Sequence, residues 1–149
     1  MSATPPVRPL IDRLCARFVD RDEGLAALTD LIVLIAAADA IIDQAETRAL
    51  VESLETMLVA HVAPRLVKVV VDESRARIRG VGPMLSADTI GRKLARHGAA
   101  EDGVRLAVFI AAISEGISTV ERARIERLAS AAGISPARLG ELMLDPFAI

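Results

Sequence analysis

Asp39, Asp43 and Glu46 place three carboxylates within eight residues, and the chemistry open to such a set is the ligation of a hard cation by oxygen. Two of the three have another use. Asp43 followed by Glu46 has the spacing of a helix N-cap and its reciprocal partner, in which side chains satisfy the free amides of a first turn. Asp39 does not fit that account. It falls in the last turn of the preceding helix, where the macrodipole disfavours an anion by roughly 0.3–1 kcal/mol. A divalent cation, Ca²⁺ or Mg²⁺, would compensate for the misplaced charge.

The same joint is spelled again 75 residues later. Residues 31–46 and 106–121 are identical at Leu31/Leu106, Val33/Val108, Ala36/Ala111, Ala37/Ala112, Ile42/Ile117 and Glu46/Glu121. The second copy carries Ser114, Glu115, Ser118 and Glu121, and is poorer in acid. If the copies pack about a pseudo-twofold, Glu115 and Glu121 face the first cluster. The candidate metal ligands are therefore Asp39, Asp43, Glu46, Glu115 and Glu121, with helix capping alone as the competing reading. An EF-hand is excluded, because that loop needs acids at positions 1, 3, 5 and 12 around a glycine.

Other chemistry finds little footing. His61 and His97 are isolated near expected helix ends, without a second His or Cys at zinc-ligand spacing. No phosphate loop, nucleophile elbow, HExxH or dinucleotide fingerprint occurs. With no nucleophile–base pair in view, the expectation is a protein that is not an enzyme and has no catalytic residue.

The elements that must position these joints are helices. Apolar residues recur at helical spacing from Leu10 to Phe18, from Leu25 to Ile35, and from Leu50 to Leu58. Pro64 starts another stripe through Val67, Val70, Val71, Ser74 and Ile78. The run Val69–Val71 would also suit a strand, but the charged continuation to Arg79 favours a helix. Gly80–Pro83 breaks the chain before a short helix over Ser86–Arg96. Glu101 opens a further helix, Ser118 and Glu121 cap the next, Gly133 followed by Ile134 has the form of a Schellman stop, and Ser135-Pro136 starts the last. The segments ending at Ile35 and Ile113 are apolar nearly all round, which marks them as the buried centre. The fold class expected is all-α, a compact bundle of seven to eight helices with an internal pseudo-repeat. Residues 1–9 read as a tail and 10–145 as one domain.

Composition agrees. Of 149 residues 52% are hydrophobic, with three Phe and neither Trp nor Tyr. A single cysteine, Cys15, rules out an internal disulfide framework and reads as a small buried hydrophobe. Met1–Pro9 lacks the apolar stretch of a secretory signal, and Leu31–Ile42 is too short for a span of about 20 residues. A cytoplasmic protein without a membrane span is expected. Residues 64–99 carry eight Lys/Arg against three Asp/Glu, within a chain of net charge −2. The absence of aromatic stacking residues argues against nucleic acid and for an anionic protein partner at this basic stretch. A homodimer is a further assembly that the Ala-rich faces allow.

The joint Ala38-Asp39-Ala40-x-Ile42-Asp43-x-x-Glu46, its copy around Ser118-x-x-Glu121, and the closing segment Ala131–Leu139 together resemble the tellurite-resistance TerB family. That family includes the related N-terminal domain of a membrane-anchored DnaJ-like co-chaperone. The likeness covers roughly residues 10–145. The family pattern is Ala-Asp-Gly-x-Ile-(Asp/Ser)-x-x-Glu, once per repeat. Asp39, Ile42, Asp43 and Glu46 match the first copy, and Ile117, Ser118 and Glu121 the second. Ala40 stands where Gly is expected, and Ser114-Glu115 where Asp-Gly is expected. The resemblance implies a helical bundle with an acidic cation-binding surface, a link to tellurite or chemical stress, and a role as an interaction module. The alternative is a protein-interaction scaffold with no metal or ligand chemistry.

Overall fold

Helical periodicity in the sequence becomes helix throughout the described chain. The computed structural model describes residues 7–36, 48, 64–112 and 117–146. Seven helices occupy them: α1 (Val7–Arg17), α2 (Arg21–Ala36), α3 (Pro64–Val81), α4 (Pro83–Arg96), α5 (Ala100–Ala112), α6 (Thr119–Ala131) and α7 (Pro136–Leu144). No strand occurs among the described residues, and Val69–Val71 lie inside α3. The helix expected behind Asp43 falls outside the described residues, except that Arg48 has helical backbone. None of the described helices is long and apolar enough to cross a membrane.

Local chemistry sets the ends. Asp20 accepts a hydrogen bond from the Glu23 amide at 3.3 Å, so α2 starts at Arg21, a turn ahead of the apolar stripe that begins at Leu25. Helix α1 reaches back to Val7, with Pro9 in its first turn, where a missing amide hydrogen costs nothing. Between α3 and α4 a single residue turns the chain. Gly82 has φ 102°, a value an L side chain resists, and Pro83 then opens α4 three residues earlier than the expected Ser86. The end of α6 is the Schellman stop that Gly133-Ile134 promised. The Gly133 amide bonds the Ser130 carbonyl at 3.1 Å, and the Ile134 amide bonds the Ala129 carbonyl at 2.9 Å. Ser135 then caps α7 by accepting from the Arg138 amide at 3.1 Å.

Helices α2 and α5 form the centre. Leu31–Ala36 are buried on every side of α2, and Leu106–Ala111 on every side of α5. Around this pair, α1 and α7 pack on α5, α3 packs on α2, and α4 and α6 close the remaining side. The α4–α6 pairing is the most extensive, for a steric reason. A Cβ on Gly91 would lie 2.6 Å from the Leu128 carbonyl oxygen and 2.7 Å from Ala131 Cβ. Only a residue without a side chain lets the two backbones meet there. Of the stripes read from the sequence, Leu10, Phe18, Ser74 and Ile78 are buried and Val70 and Val71 partly so; Ile125, Leu128 and Ala129 of α6 and Ala132 beyond it are buried as well. Cys15 is half-buried against the same core.

Polar contacts pin the outer helices to this centre. Ser74, fully buried, donates to Asp30 Oδ1 at 2.6 Å, and Arg77 reaches the same oxygen at 2.6 Å, joining α3 to α2. Arg13 of α1, Glu101, Asp102 and Arg105 of α5, and Arg138 of α7 form a continuous ion-pair chain. His97 ends α4, its ring 4.5 Å from that of Phe18 and its Nε2 3.1 Å from Glu23.

Candidate cation site at the second joint

Helix α6 begins with the capping box that its sequence spells. Ser118 holds an extended backbone (φ −73°, ψ 164°), and its Oγ accepts from the Glu121 amide at 3.1 Å. Glu121 replies by accepting the Ser118 amide on Oε1 at 2.9 Å. Each side chain thereby satisfies one free amide of the first turn. The Glu121 carboxylate also lies near the positive end of the helix dipole.

Capping uses only half of that carboxylate. Glu121 is 1% exposed, and its Oε2 is buried with no hydrogen-bond donor among the described residues. A buried, unsatisfied acceptor costs at least about 1–3 kcal/mol, and more when the group is charged. A carboxylate oxygen is a hard donor, of the kind that ligates Ca²⁺ or Mg²⁺.

A second contact ties this helix start to the first joint. Arg124, one turn beyond Glu121, donates from Nη1 to the Leu34 carbonyl at 2.7 Å. Leu34 belongs to the last turn of α2, and Asp39 follows the end of that helix by three residues in the chain. The guanidinium therefore sits on the C-terminal side of α2, where the helix dipole is negative. Sequence reading sought a compensating cation for this helix end and missed Arg124. The signal was present: Glu121, Arg124, Ile125 and Leu128 follow the i, i+3, i+4, i+7 spacing of the inward face of α6.

Of the five candidate ligands, Glu121 alone lies within the described chain; Asp39, Asp43, Glu46 and Glu115 fall outside it. Among the described residues, no group of three or more His, Cys, Asp or Glu side chains stands at metal-binding distance. No protein-family model, curated protein or solved structure matches the chain.

Carboxylates with clearly displaced pKa values lie elsewhere. Asp88 is held below its usual range by its hydrogen bonds to Arg127. Glu101 is lowered by hydrogen bonding to Arg138, with the charge of Arg105 adding to the effect. Both groups fasten helices together.

A concavity of about 450 Å³ opens between α6 and α7, and nothing in the sequence patterning announced it. Its walls are mainly apolar, with Ala129, Ile134, Leu139 and Met143, and the exposed ion pair of Arg122 and Glu126 stands at its side. Gly140, also on the wall, is a helical glycine whose Cβ would meet nothing within 4 Å.

Proposed function

We propose that this chain is a non-enzymatic helical module similar to the TerB family, binding a divalent cation, Ca²⁺ or Mg²⁺, at its acidic helix–loop–helix joints. Asp39, Asp43 and Glu46 supply the first joint, joined by Glu115 and Glu121 of the second. The observation that carries the reading is the buried Oε2 of Glu121, an anionic acceptor left over after the cap is complete. By resemblance, the module serves a response to tellurite or chemical stress through a protein partner, and its single cysteine suits the reducing cytoplasm. Calorimetric titration of the full chain with Ca²⁺, Mg²⁺ and Mn²⁺ tests it. Saturable heat that Asp39→Ala and Glu121→Gln both reduce supports the site. No heat from any of the three ions, with undiminished stability in Asp39→Ala, leaves capping as the whole role of these residues.

The second reading is an interaction scaffold without ligand chemistry, and the concavity between α6 and α7 favours it. A helix-interior glycine costs about 0.5–1 kcal/mol relative to alanine, and Gly140 shows no close neighbour that demands it. Its place in the wall keeps the concavity wide. Sedimentation velocity separates self-association from a foreign partner, since only the former shows a concentration-dependent mass.

A further inference from the structure

Large apolar side chains are exposed where α3 turns into α4. Val81 is 55% exposed, Met84 40% and Leu85 57%, within five consecutive residues. A cluster of this kind is costly to leave in water and marks a contact surface. The turn is rigid, for Gly82 bonds the Ile78 carbonyl at 2.7 Å and its own carbonyl accepts from the Ser86 amide at 2.9 Å. It is also open: a Cβ on Gly80 or Gly82 would meet nothing within 4 Å. The turn thus presents an uncovered apolar tip.

Exposed cations stand beside the tip on both helices. Residues 72–96 hold six Lys/Arg and three acids; Arg77 is held by Asp30, and Asp88 is bound by Arg127 through both oxygens. Arg79 lies two residues from Val81, is exposed, and has no ion pair among the described residues. On α4, Arg92 follows Leu85 by seven residues, so it rides the same outward stripe about 10 Å along the axis. An exposed apolar tip with Arg79 and Arg92 beside it complements a surface that is apolar within and anionic at its face.

We propose that the α3–α4 turn is a contact site for an anionic lipid bilayer. Val81, Met84 and Leu85 enter the headgroup–acyl boundary, and Arg79 and Arg92 lie against lipid phosphates and carboxylates. Interfacial binding of this type combines buried apolar area with attraction to acidic lipids. The proposal is independent of the cation site, which involves neither helix.

Co-sedimentation of the full chain with phosphatidylcholine vesicles, with and without phosphatidylserine, tests it. Binding is expected only with phosphatidylserine, falling as ionic strength rises through the physiological range. Leu85→Asp and Arg79→Glu should each weaken it about tenfold. Both positions are exposed, so circular dichroism should show an unchanged fold. Val19→Asp is the control: Val19 is 98% exposed but lies near the far end of α4, about 20 Å from the tip, and its variant should bind as the parent does. Equal binding to neutral vesicles, no binding to either, or losses equal in all three variants would overturn the proposal. So would the absence of lipid binding alongside salt-dependent binding to an acidic helical peptide, which would make the tip a protein contact.

Discussion

Arg127 of α6 holds Asp88 of α4 through two parallel hydrogen bonds, Nε to Oδ1 at 2.6 Å and Nη2 to Oδ2 at 2.8 Å. The pair forms one turn from Gly91, where the two backbones come closest. Steric fit and a forked charge contact thus act on the same interface.

Gly91→Ala should destabilise the fold by about 1–3 kcal/mol, because the added methyl meets main chain on α6 that cannot move independently. Gly140→Ala should do the opposite and add about 0.5–1 kcal/mol, since its methyl enters open space and α-helix propensity improves. Urea denaturation of both variants measures this. Equal and small effects would mean that α4 and α6 separate more easily than their contact implies.

Acid should weaken the fold through the carboxylates whose pKa values are lowered. Asp88 and Glu101 have folded-state values below 3.8 and 4.5, the ordinary values of their types. Their contribution is complete above the unfolded-state values and is lost as pH falls toward the folded ones. The thermal midpoint is therefore expected to be flat near neutrality and to drop below about pH 4.5. Arg138→Ala, which removes the main cause of the Glu101 shift, should flatten that acid limb; an unaltered profile would remove Glu101 from the account.

Helix positions were legible because they rest on local rules. Ser118 with Glu121, Gly133 with Ile134, and Ser135-Pro136 each announce a helix end through groups within one turn of one another. The buried centres of α2 and α5 were legible for the same reason, as a surface helix cannot be apolar all round. What escaped sequence reading depends on partners far apart in the chain. Arg124 reaches Leu34 across 90 residues, and Ser74 reaches Asp30 across 44. The start of α4 at Pro83 escaped because Gly82 alone was enough to turn the chain. At the candidate site, the Glu121 cap was readable in advance, whereas the spare oxygen required knowledge of what packs over it.

Ser118→Ala should cost about 0.5–2 kcal/mol of stability, the usual effect of losing an N-cap hydroxyl. Ser118→Asp, which restores an acceptor for the Glu121 amide, should recover most of it in thermal melts. Failure of the aspartate to rescue would point to repulsion between it and the Glu121 carboxylate.

Asp30→Ala should be more damaging than Ser74→Ala. Removing the serine hydroxyl deletes one hydrogen bond, at about 1 kcal/mol, and leaves Asp30 still paired with Arg77. Removing the carboxylate strands a fully buried hydroxyl and unpairs a guanidinium together. Chemical denaturation of the two single variants and the double variant gives the order, and a reversed order would place the dominant contact on Ser74.

Helix α2 has a consequence for how the chain is made. It is packed by α3, α4, α5 and α6, all of which follow it in sequence. Synthesis proceeds from the N-terminus at about 5–20 residues per second, so this apolar segment emerges several seconds before the residues that bury it. During that interval Leu31–Ala36 is an uncovered greasy stretch on the nascent chain, and the binding of a holdase chaperone to it would compete directly with the arrival of α6.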